Sequence, residues 1–258
     1  MPRWQKPANP GAINLGDPLA RQLLFALAPG WDRGLRSSDS TVTPEARTEI
    51  AGVLQNVAIA GGVAQTSAPG WGLCSGSNSW FNYPSDIGIP SFVGNVGFSV
   101  AILVEPLVIP ALNTVNRRVF QKRLNGAPTS PGFDMFLDSF IAYTWSFEWA
   151  DGVTEQTLRS VNQIPTLNRP DLLVGTLNPQ TSIANLYVNG ILENSAALVT
   201  VPSNPVGQPI GVCGGIGPAN DAGGDNCATF AALWNRELSQ QDVLTLHANP
   251  FRMFTGNR

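Results

Sequence analysis

Glu148 and Asp151 are the carboxylates of this chain that come nearest to a catalytic pair, in the run Glu148-Trp149-Ala150-Asp151-Gly152. Two carboxyl groups that face each other across a cleft can hydrolyse a glycosidic bond, one as the acid and the other as the nucleophile or base. A spacing of three residues, however, puts the two side chains on opposite faces of a strand. Asp151-Gly152 is instead typical of a hairpin turn.

Other catalytic groups are equally poorly placed in the sequence. The sole histidine, His247, lies in the predicted last turn of a C-terminal helix, where it would complement the helix dipole. The cysteines lack metal-ligand spacing such as Cys-x-x-Cys. The glycine-rich run 214–217 is followed by Pro218 and has no phosphate-binding lysine. We therefore predict no catalytic residue, no enzymatic activity and no organic cofactor.

Calcium is the one metal that the sequence suggests. The segment 220–226 reads Asn-Asp-Ala-Gly-Gly-Asp-Asn, and its Asp221 and Asp225 combine oxygen ligands with a flexible backbone, as a hard cation requires. The alternative is a polar loop whose Asp and Asn side chains cap their own turns. That alternative is the commoner outcome, because the acidic pattern is less strict than that of an EF-hand.

Three aromatic residues could bind a glycan. Trp71, Trp80 and Tyr83 lie in a segment rich in Gly, Ser and Asn, and large rings stack on the apolar faces of sugars at little entropic cost. The alternative is a loop that folds back and plugs one end of the domain with these rings. Both interpretations stay open.

The elements that must position these residues are mostly strands. Twenty-six Gly and twenty-one Pro are spread along 258 residues, and turn signals recur every eight to twelve residues or so, as in a β-sandwich. Alternation predicts strands at the ranges 22–27, 98–104, 119–122, 132–137, 141–149, 172–177, 184–188, 208–213 and 229–234. On the strand at 141–149, Trp145, Phe147 and Trp149 share one face and indicate core packing or a buried interface. Ser239 is expected to cap a helix over 240–247, which Asn249-Pro250 ends.

A hairpin and a late strand carry a family resemblance. Ile183 to Gly190 reads as a half-buried strand running into an Asn-Gly turn, and Phe230 to Ser239 reads as a strand followed by a cap. The motifs "LYVNG" and "WNR-x-L" resemble those of laminin-G-like, concanavalin-A-like jelly-roll domains. The opening run 17–21, Asp-Pro-Leu-Ala-Arg, resembles the start of phage-encoded members. The resemblance implies an all-β antiparallel sandwich over residues 21–248, with an extended N-terminal arm at 1–20 and a tail at 249–258.

Composition excludes several classes of partner. A net charge of −3 gives no electrostatic footprint for nucleic acid. The apolar runs are too short to span a membrane, and the first residues lack the apolar core of a secretory signal. Cys74, Cys213 and Cys227 are odd in number, so buried thiols are expected in a reducing cytoplasm, although a bridge between Cys213 and Cys227 stays open.

The predicted function follows from the resemblance and from the surface. Charged residues make up 13% of the chain, about half the usual share, which is unusual for a freely diffusing monomer. The resemblance to phage-encoded domains implies a virion structural protein, as a capsid decoration or a tail or fibre component assembled in the host cytoplasm. The proline-rich arm, with Arg3, Trp4 and Lys6, would contact other virion subunits or copies of the chain. The alternative is a carbohydrate-binding module that attaches to a surface polysaccharide.

Overall fold

The structure of the protein is a computed structural model. The structure describes residues 10–14, 16–27, 97–112, 116–123, 129–141, 143–203, 208, 210–213 and 226–256, together with short strand segments between residues 41 and 83.

The described residues form short antiparallel strands, one α-helix and a 3-10 helix at Pro18–Ala20. The strands are β1 (Pro10–Ile13), β2 (Leu23–Leu27), β3 (Thr41–Val42), β4 (Arg47–Thr48), β5 (Val53–Leu54), β6 (Val57–Ala60), β7 (Ala64–Gln65), β8 (Leu73–Ser75), β9 (Trp80–Tyr83), β10 (Phe98–Pro106), β11 (Arg117–Arg123), β12 (Gly132–Asp138), β13 (Thr144–Ala150), β14 (Glu155–Arg159), β15 (Asp171–Asn178), β16 (Ile183–Val188), β17 (Ile191–Ala197), β18 (Ile210–Val212), β19 (Asn226–Trp234) and β20 (Phe254–Gly256). The helix α1 spans Gln240–Ala248.

Two large antiparallel sheets form the body. Sheet I has the order β17-β16-β15-β10-β19-β8-β7, and β2 also pairs with β19. Sheet II has the order β14-β13-β12-β11-β18-β9-β6-β3. The chain crosses repeatedly between the sheets, so that strands adjacent in space are often distant in sequence. The predicted all-β, jelly-roll-like sandwich with a short C-terminal helix is confirmed.

The main core lies between the sheets and depends on side-chain alternation. Trp145, Phe147 and Trp149 of β13 are fully buried in it, which confirms the predicted core packing of this stripe. The facing strand β15 places Gly175 against Phe147, and a Cβ atom added to Gly175 would lie 2.6 Å from Phe147 Cδ1. The missing side chain on one sheet therefore makes room for the ring on the other.

A second core covers the outer face of sheet I. Val243 and Leu246 of α1 pack there with buried residues of β10, β15 and β19. Trp234 Nε1 donates to the carbonyl oxygen of Leu19 at 2.6 Å, which attaches the 3-10 helix to the same face. Because both faces of its central strands are buried, sheet I offers little surface for binding.

The helix begins and ends as the sequence predicts. Ser239 accepts a hydrogen bond from the Asp242 amide, and the Asp242 carboxylate accepts one from the Ser239 amide, which completes a capping box. The predicted turn at Asn189-Gly190 is also present, with both residues at positive φ. Burial lowers the pKa of His247, so the imidazole is less often the cation expected for a dipole contact.

From residue 10 onward, the segment predicted as an extended N-terminal arm packs on the chain itself. β1 pairs antiparallel with β20 in the C-terminal tail, with Pro10 opposite Gly256 and Ile13 opposite Phe254. Leu19 and Ala20 are buried. Residues 1–9 lie outside the described residues, so the contacts proposed for Arg3, Trp4 and Lys6 remain predictions.

The cysteines differ from the expected set of three thiols. Cys227 is disulfide-bonded, and Cys74 occupies the position directly opposite it in the β8–β19 pair. Cys213 has a buried thiol, and burial raises its pKa to about 12. The expectation of a thiol at Cys227 is therefore wrong, and so is the alternative bridge to Cys213.

Gly175→Ala is expected to destabilise the sandwich by about 1–3 kcal/mol, because the added methyl group overpacks the core against Phe147. Chemical denaturation measures the free energy of unfolding. Ser195→Ala, at an exposed position of the edge strand β17, is the control and should change little. Equal stabilities for wild type and Gly175→Ala would contradict the close packing of the sheets.

Alkylation at pH 8 is expected to label neither Cys213 nor Cys227 in the folded protein. A thiol with a pKa of about 12 is almost entirely protonated and buried, and only the thiolate reacts. Unfolding without reductant should expose Cys213 alone, and adding reductant should expose Cys227 as well. Peptide mass spectrometry distinguishes the sites. Labelling of Cys227 without reductant would contradict the disulfide.

Candidate functional site

The outer face of sheet II carries polar side chains where its inner face carries the core. Strand registers align one polar residue from each of four neighbouring strands into a single row across the sheet. This polar row consists, from β11 to β14, of Gln121, Asp134, Glu148 and Thr157. Directly paired residues on one sheet face have Cβ atoms about 4.5–5.5 Å apart, so the four side chains form one continuous polar line.

Arginines flank the polar row on both sides. Arg118, one row away, pairs with the Asp134 carboxylate and lies over the ring of Phe136, 5.6 Å from its centroid. Arg123, on the other side, pairs with Glu148 and also donates to Glu155 Oε2 at 2.6 Å. Each carboxylate of the row therefore has a cationic partner, and the row carries no large excess of charge.

The row is most deeply buried at its β11 end. Gln121 and Asp134 are fully buried, whereas the Glu148 side chain is 12% exposed. Thr157 is half-buried, and Glu155 beside it is exposed. Exposure thus rises towards the edge strand β14, which gives the polar row one end that solvent can reach.

Several buried polar groups in this region lack hydrogen-bond partners in the described structure. Among them are the Gln121 side-chain amide and the Ser146 hydroxyl. Ser146 lies one row from Glu148, on the same face of β13. A buried polar group without a partner costs about 1–3 kcal/mol, so both groups favour a hydroxyl-bearing ligand that reaches them from the exposed β14 end of the row.

Burial sets the electrostatics of Glu148. Desolvation raises the pKa of Glu148, and the nearby Arg123 guanidinium opposes that rise. The Thr157 hydroxyl donates to Glu148 Oε2 at 3.0 Å, while Arg123 occupies Oε1. Both carboxylate oxygens thus act as acceptors.

The predicted hairpin turn at Asp151-Gly152 is present. Asp151 Oδ1 accepts hydrogen bonds from the amides of Val153 and Thr154, both at 2.7 Å. The hydrogen bond from the Thr154 amide is the largest of several causes that lower the pKa of Asp151 to about 2. Asp151 therefore closes the β13–β14 turn and does not join Glu148.

The other predicted site residues fall mostly outside the described residues. Trp80 and Tyr83 are the first and last residues of β9, which belongs to sheet II. Trp71 and the calcium candidates Asp221 and Asp225 lie outside the described residues. Within the described part of the chain, no group of His, Cys, Asp and Glu side chains is placed to hold a metal ion. The described helices include none that is long and apolar enough to cross a membrane.

A second polar region lies between α1, Asp17 and Arg252. Asp17 and Arg252 line an open pocket there of roughly 500 Å³. Asp17 Oδ2 accepts from Arg252 Nε at 2.9 Å, and Asp17 Oδ1 accepts from the Leu19 amide at 2.9 Å. Because the charged groups bind each other, the pocket offers a ligand less than the polar row does.

Sequence reasoning missed the polar row because its members come from four strands. Carboxylate spacing along one strand does not reveal a pair that forms between strands, and Asp134 and Glu148 meet across the β12–β13 pair. The available signal was the alternation of polar with aromatic residues on each strand, for example Phe133-Asp134-Met135.

Several solved structures share this fold at low sequence identity. The Trypanosoma rangeli sialidase in complex with 2,3-difluorosialic acid has a TM-score of 0.60 and 15% identity, over 91% of this chain and 34% of that one. The binding domain of Paraclostridial mosquitocidal protein 1 has a TM-score of 0.60 and 14% identity, over 89% and 52%. The botulinum neurotoxin serotype D ligand binding domain in complex with N-acetylneuraminic acid has a TM-score of 0.61 and 12% identity, over 89% and 52%.

These likenesses establish the sandwich fold alone. The chain spans about a third to a half of the length of these proteins. No protein-family model and no curated protein sequence matches the chain.

Arg123→Gln is expected to raise the pKa of Glu148 further, because it removes the charge that opposes desolvation. The folded-state pKa of Glu148 lies above its ordinary value of 4.5. The free energy of unfolding therefore falls as pH rises between the two values, and the variant extends that interval upward. A carbon-13 NMR titration of the Glu148 carboxyl measures the shift. Arg159→Gln, whose partner is Asp138, is the control, and an unchanged Glu148 pKa in Arg123→Gln would contradict the coupling.

Proposed function

We propose that this chain is a non-catalytic carbohydrate-binding module whose polar row binds sugar hydroxyls. The observation that carries the proposal is the polar row itself, in which the buried Gln121 amide and Asp134 carboxylate continue into Glu148 and Thr157 at the end that solvent can reach. Amides, hydroxyls and carboxylates together can donate to and accept from the several hydroxyl groups of one sugar ring. The complex of a neurotoxin ligand binding domain of this fold with N-acetylneuraminic acid supports a glycan as the class of ligand.

The charge balance favours a neutral glycan. Arg118 and Arg123 are engaged by carboxylates, so neither is available as a dedicated partner for the carboxylate of an acidic sugar. Asp134 and Glu148 would also repel such a group. A neutral polysaccharide, rich in hydroxyls, fits the row best.

Catalysis is disfavoured by the hydrogen bonding of Glu148. A glycosidase needs one carboxylic acid that donates a proton to the leaving oxygen. Both oxygens of Glu148 instead accept hydrogen bonds, from Arg123 and Thr157. Release of new reducing ends from a bound polysaccharide, lost in Glu148→Gln, would overturn the non-catalytic assignment.

The biological setting is proposed to be the outer surface of a bacteriophage particle, as a decoration, tail or fibre component. The resemblance of the run 17–21 to the opening of phage-encoded members of the laminin-G-like family supports it. The disulfide at Cys227 suits such a location, because disulfides persist on virion surfaces rather than in a reducing cytoplasm. If mass spectrometry of purified phage particles detects no copy of this chain, the proposed setting is wrong and the glycan proposal is unaffected.

Gln121→Leu is expected to weaken binding to a neutral polysaccharide about tenfold, equivalent to roughly 1.4 kcal/mol, while leaving the free energy of unfolding unchanged or increased. The leucine fills a similar volume but cannot bond a hydroxyl, and the Gln121 side chain makes no hydrogen bond in the described fold. A glycan array followed by calorimetry measures the affinity.

Thr229→Val is the matched control, since the Thr229 hydroxyl is also buried without a partner but lies in β19 of sheet I. Undiminished binding by Gln121→Leu would overturn the polar row as the site. Loss of binding in Trp80→Ala, or on chelation, would instead assign it to the aromatic residues Trp71, Trp80 and Tyr83, or to a calcium site at Asp221 and Asp225.

A further inference from the structure

The turn between β16 and β17 is an asparagine followed by a glycine, a pair with its own covalent chemistry. The backbone nitrogen of Gly190 can attack the side-chain carbonyl carbon of Asn189. The bond from Cγ to Nδ2 then breaks, Nδ2 leaves as ammonia with the proton of the Gly190 amide, and a succinimide ring remains. Water opens the ring to aspartate or isoaspartate, so the reaction consumes water alone. Glycine favours the attack, because it has no side chain to hinder its nitrogen or restrict the backbone.

Three hydrogen bonds hold the Asn189 side chain in the folded protein. Asn189 Oδ1 accepts from the Leu172 amide at 2.9 Å. Asn189 Nδ2 donates to Asp171 Oδ1 at 2.8 Å and to Gln163 Oε1 at 2.9 Å. All three partners lie outside the hairpin, so these bonds must open before the carboxamide can react with its own backbone.

The backbone of the turn is held as well as the side chain. Asn189 and Gly190 have φ values of 52° and 81°, as a two-residue type I′ hairpin requires. The Asn189 amide donates to the carbonyl oxygen of Leu172 at 2.8 Å. Gly190 is buried, and a Cβ atom added to it would lie 3.2 Å from the His247 ring. The fold therefore restricts the backbone rotation that ring closure requires.

The product of the reaction would place two carboxylates side by side. Asp171 is buried, and its Oδ2 accepts from Trp145 Nε1 at 2.9 Å. Deamidation replaces the Asn189 Nδ2 donor that serves Asp171 Oδ1 with an oxygen that carries negative charge. Like charges at hydrogen-bond distance repel each other strongly in a partly buried site. Because Trp145 belongs to the main core, the repulsion acts directly beside the packing between the sheets.

The other titratable groups around the turn do not compensate this repulsion. Glu193 on β17 accepts three backbone amides of the connection 160–170 and adds a further acid. Burial lowers the pKa of His247 on α1, which favours the neutral imidazole. Arg169, in the same connection, is not among the hydrogen-bond partners of the Asn189 side chain. The modified turn therefore carries uncompensated negative charge.

We propose that Asn189 is a deamidation site that the native fold protects, that reacts when the β16–β17 turn unfolds, and whose product destabilises the fold. Chemical modification of the unfolded state is one way in which unfolding becomes irreversible. Deamidation of Asn189 would thus be a lasting mark of chains that have unfolded. The site shares no residue with the polar row, so the proposal is independent of glycan binding.

The chain supplies an internal comparison for this reaction. A second asparagine-glycine pair, Asn125-Gly126, lies outside the described residues. In the fully unfolded chain the two pairs have the same local chemistry, so both asparagines should react at similar rates. Reaction of Asn125 in urea therefore verifies that the conditions allow deamidation.

Incubation of the full chain at mildly alkaline pH, with and without urea, tests the protection. Peptide mass spectrometry separates asparagine, aspartate and isoaspartate at each position. Asn189 is expected to react at least about tenfold more slowly in the folded chain than in urea, because its hydrogen bonds must open together. Reaction of Asn189 at equal rates in both states, or no reaction in urea where Asn125 reacts, would overturn the proposal.

Gln163→Leu tests the hydrogen bonds themselves. The substitution removes the bond to Asn189 Nδ2, so the folded variant should deamidate at Asn189 faster than the wild type, with no change in urea. Gln180→Leu is the matched control, because Gln180 is exposed in the preceding turn and its side chain is not bonded to Asn189. Circular dichroism verifies that both variants are folded. An unchanged rate in Gln163→Leu, or equal acceleration in both variants, would contradict the protection by hydrogen bonds.

Asn189→Asp tests the consequence, because it reproduces the aspartate product. Its midpoint of urea unfolding is expected to lie below that of Asn189→Gly. Two glycines also suit a type I′ turn, and Asn189→Gly loses the same three side-chain hydrogen bonds without adding charge. A midpoint for Asn189→Asp equal to or above that of Asn189→Gly would overturn the claim that the product destabilises the fold.

Discussion

The contact between Phe147 and Gly175 is the constraint on which the two faces of sheet II depend. The ring fits only because the facing strand has no side chain at that point. Once Phe147 is fixed inward, alternation along β13 directs Trp145 and Trp149 inward too and places Glu148 on the opposite face. The position of the polar row is thus a geometric consequence of how the core is packed.

The outer faces of the two sheets are covered differently. Sheet I is covered on its outer face by α1 and the β1–β20 pair, whose residues Val243, Leu246 and Phe254 form a second core. Sheet II has no comparable apolar layer among the described residues, and its outer face is held by ion pairs and hydrogen bonds. The apolar layer on sheet I stabilises the fold but does not select a ligand. The polar groups of sheet II are hydrogen-bond donors and acceptors with preferred directions, so they can select one.

The sequence allowed much of the framework to be predicted but not the site. Strands with strong alternation, the Ser239 cap and the Asn189-Gly190 turn were recognisable because each depends on local residues. β14 was missed, since Glu155 to Arg159 is a polar edge strand without an apolar stripe. The predicted strand begins at residue 141, whereas β13 begins at Thr144. The predicted connection before it is therefore too short, and the length of this connection sets the register that pairs Asp134 with Glu148.

The pairing of β1 with β20 has a consequence for how such a domain can be built into larger proteins. Pro10 and Gly256 are neighbours in one two-stranded sheet, so the chain enters and leaves the domain at a single point on its surface. A domain whose two ends are adjacent can be inserted into a loop of a host protein without separating the two ends of that loop. Joining the two strands by a short linker and opening the chain at an exposed turn should likewise give a circular permutant with the same topology.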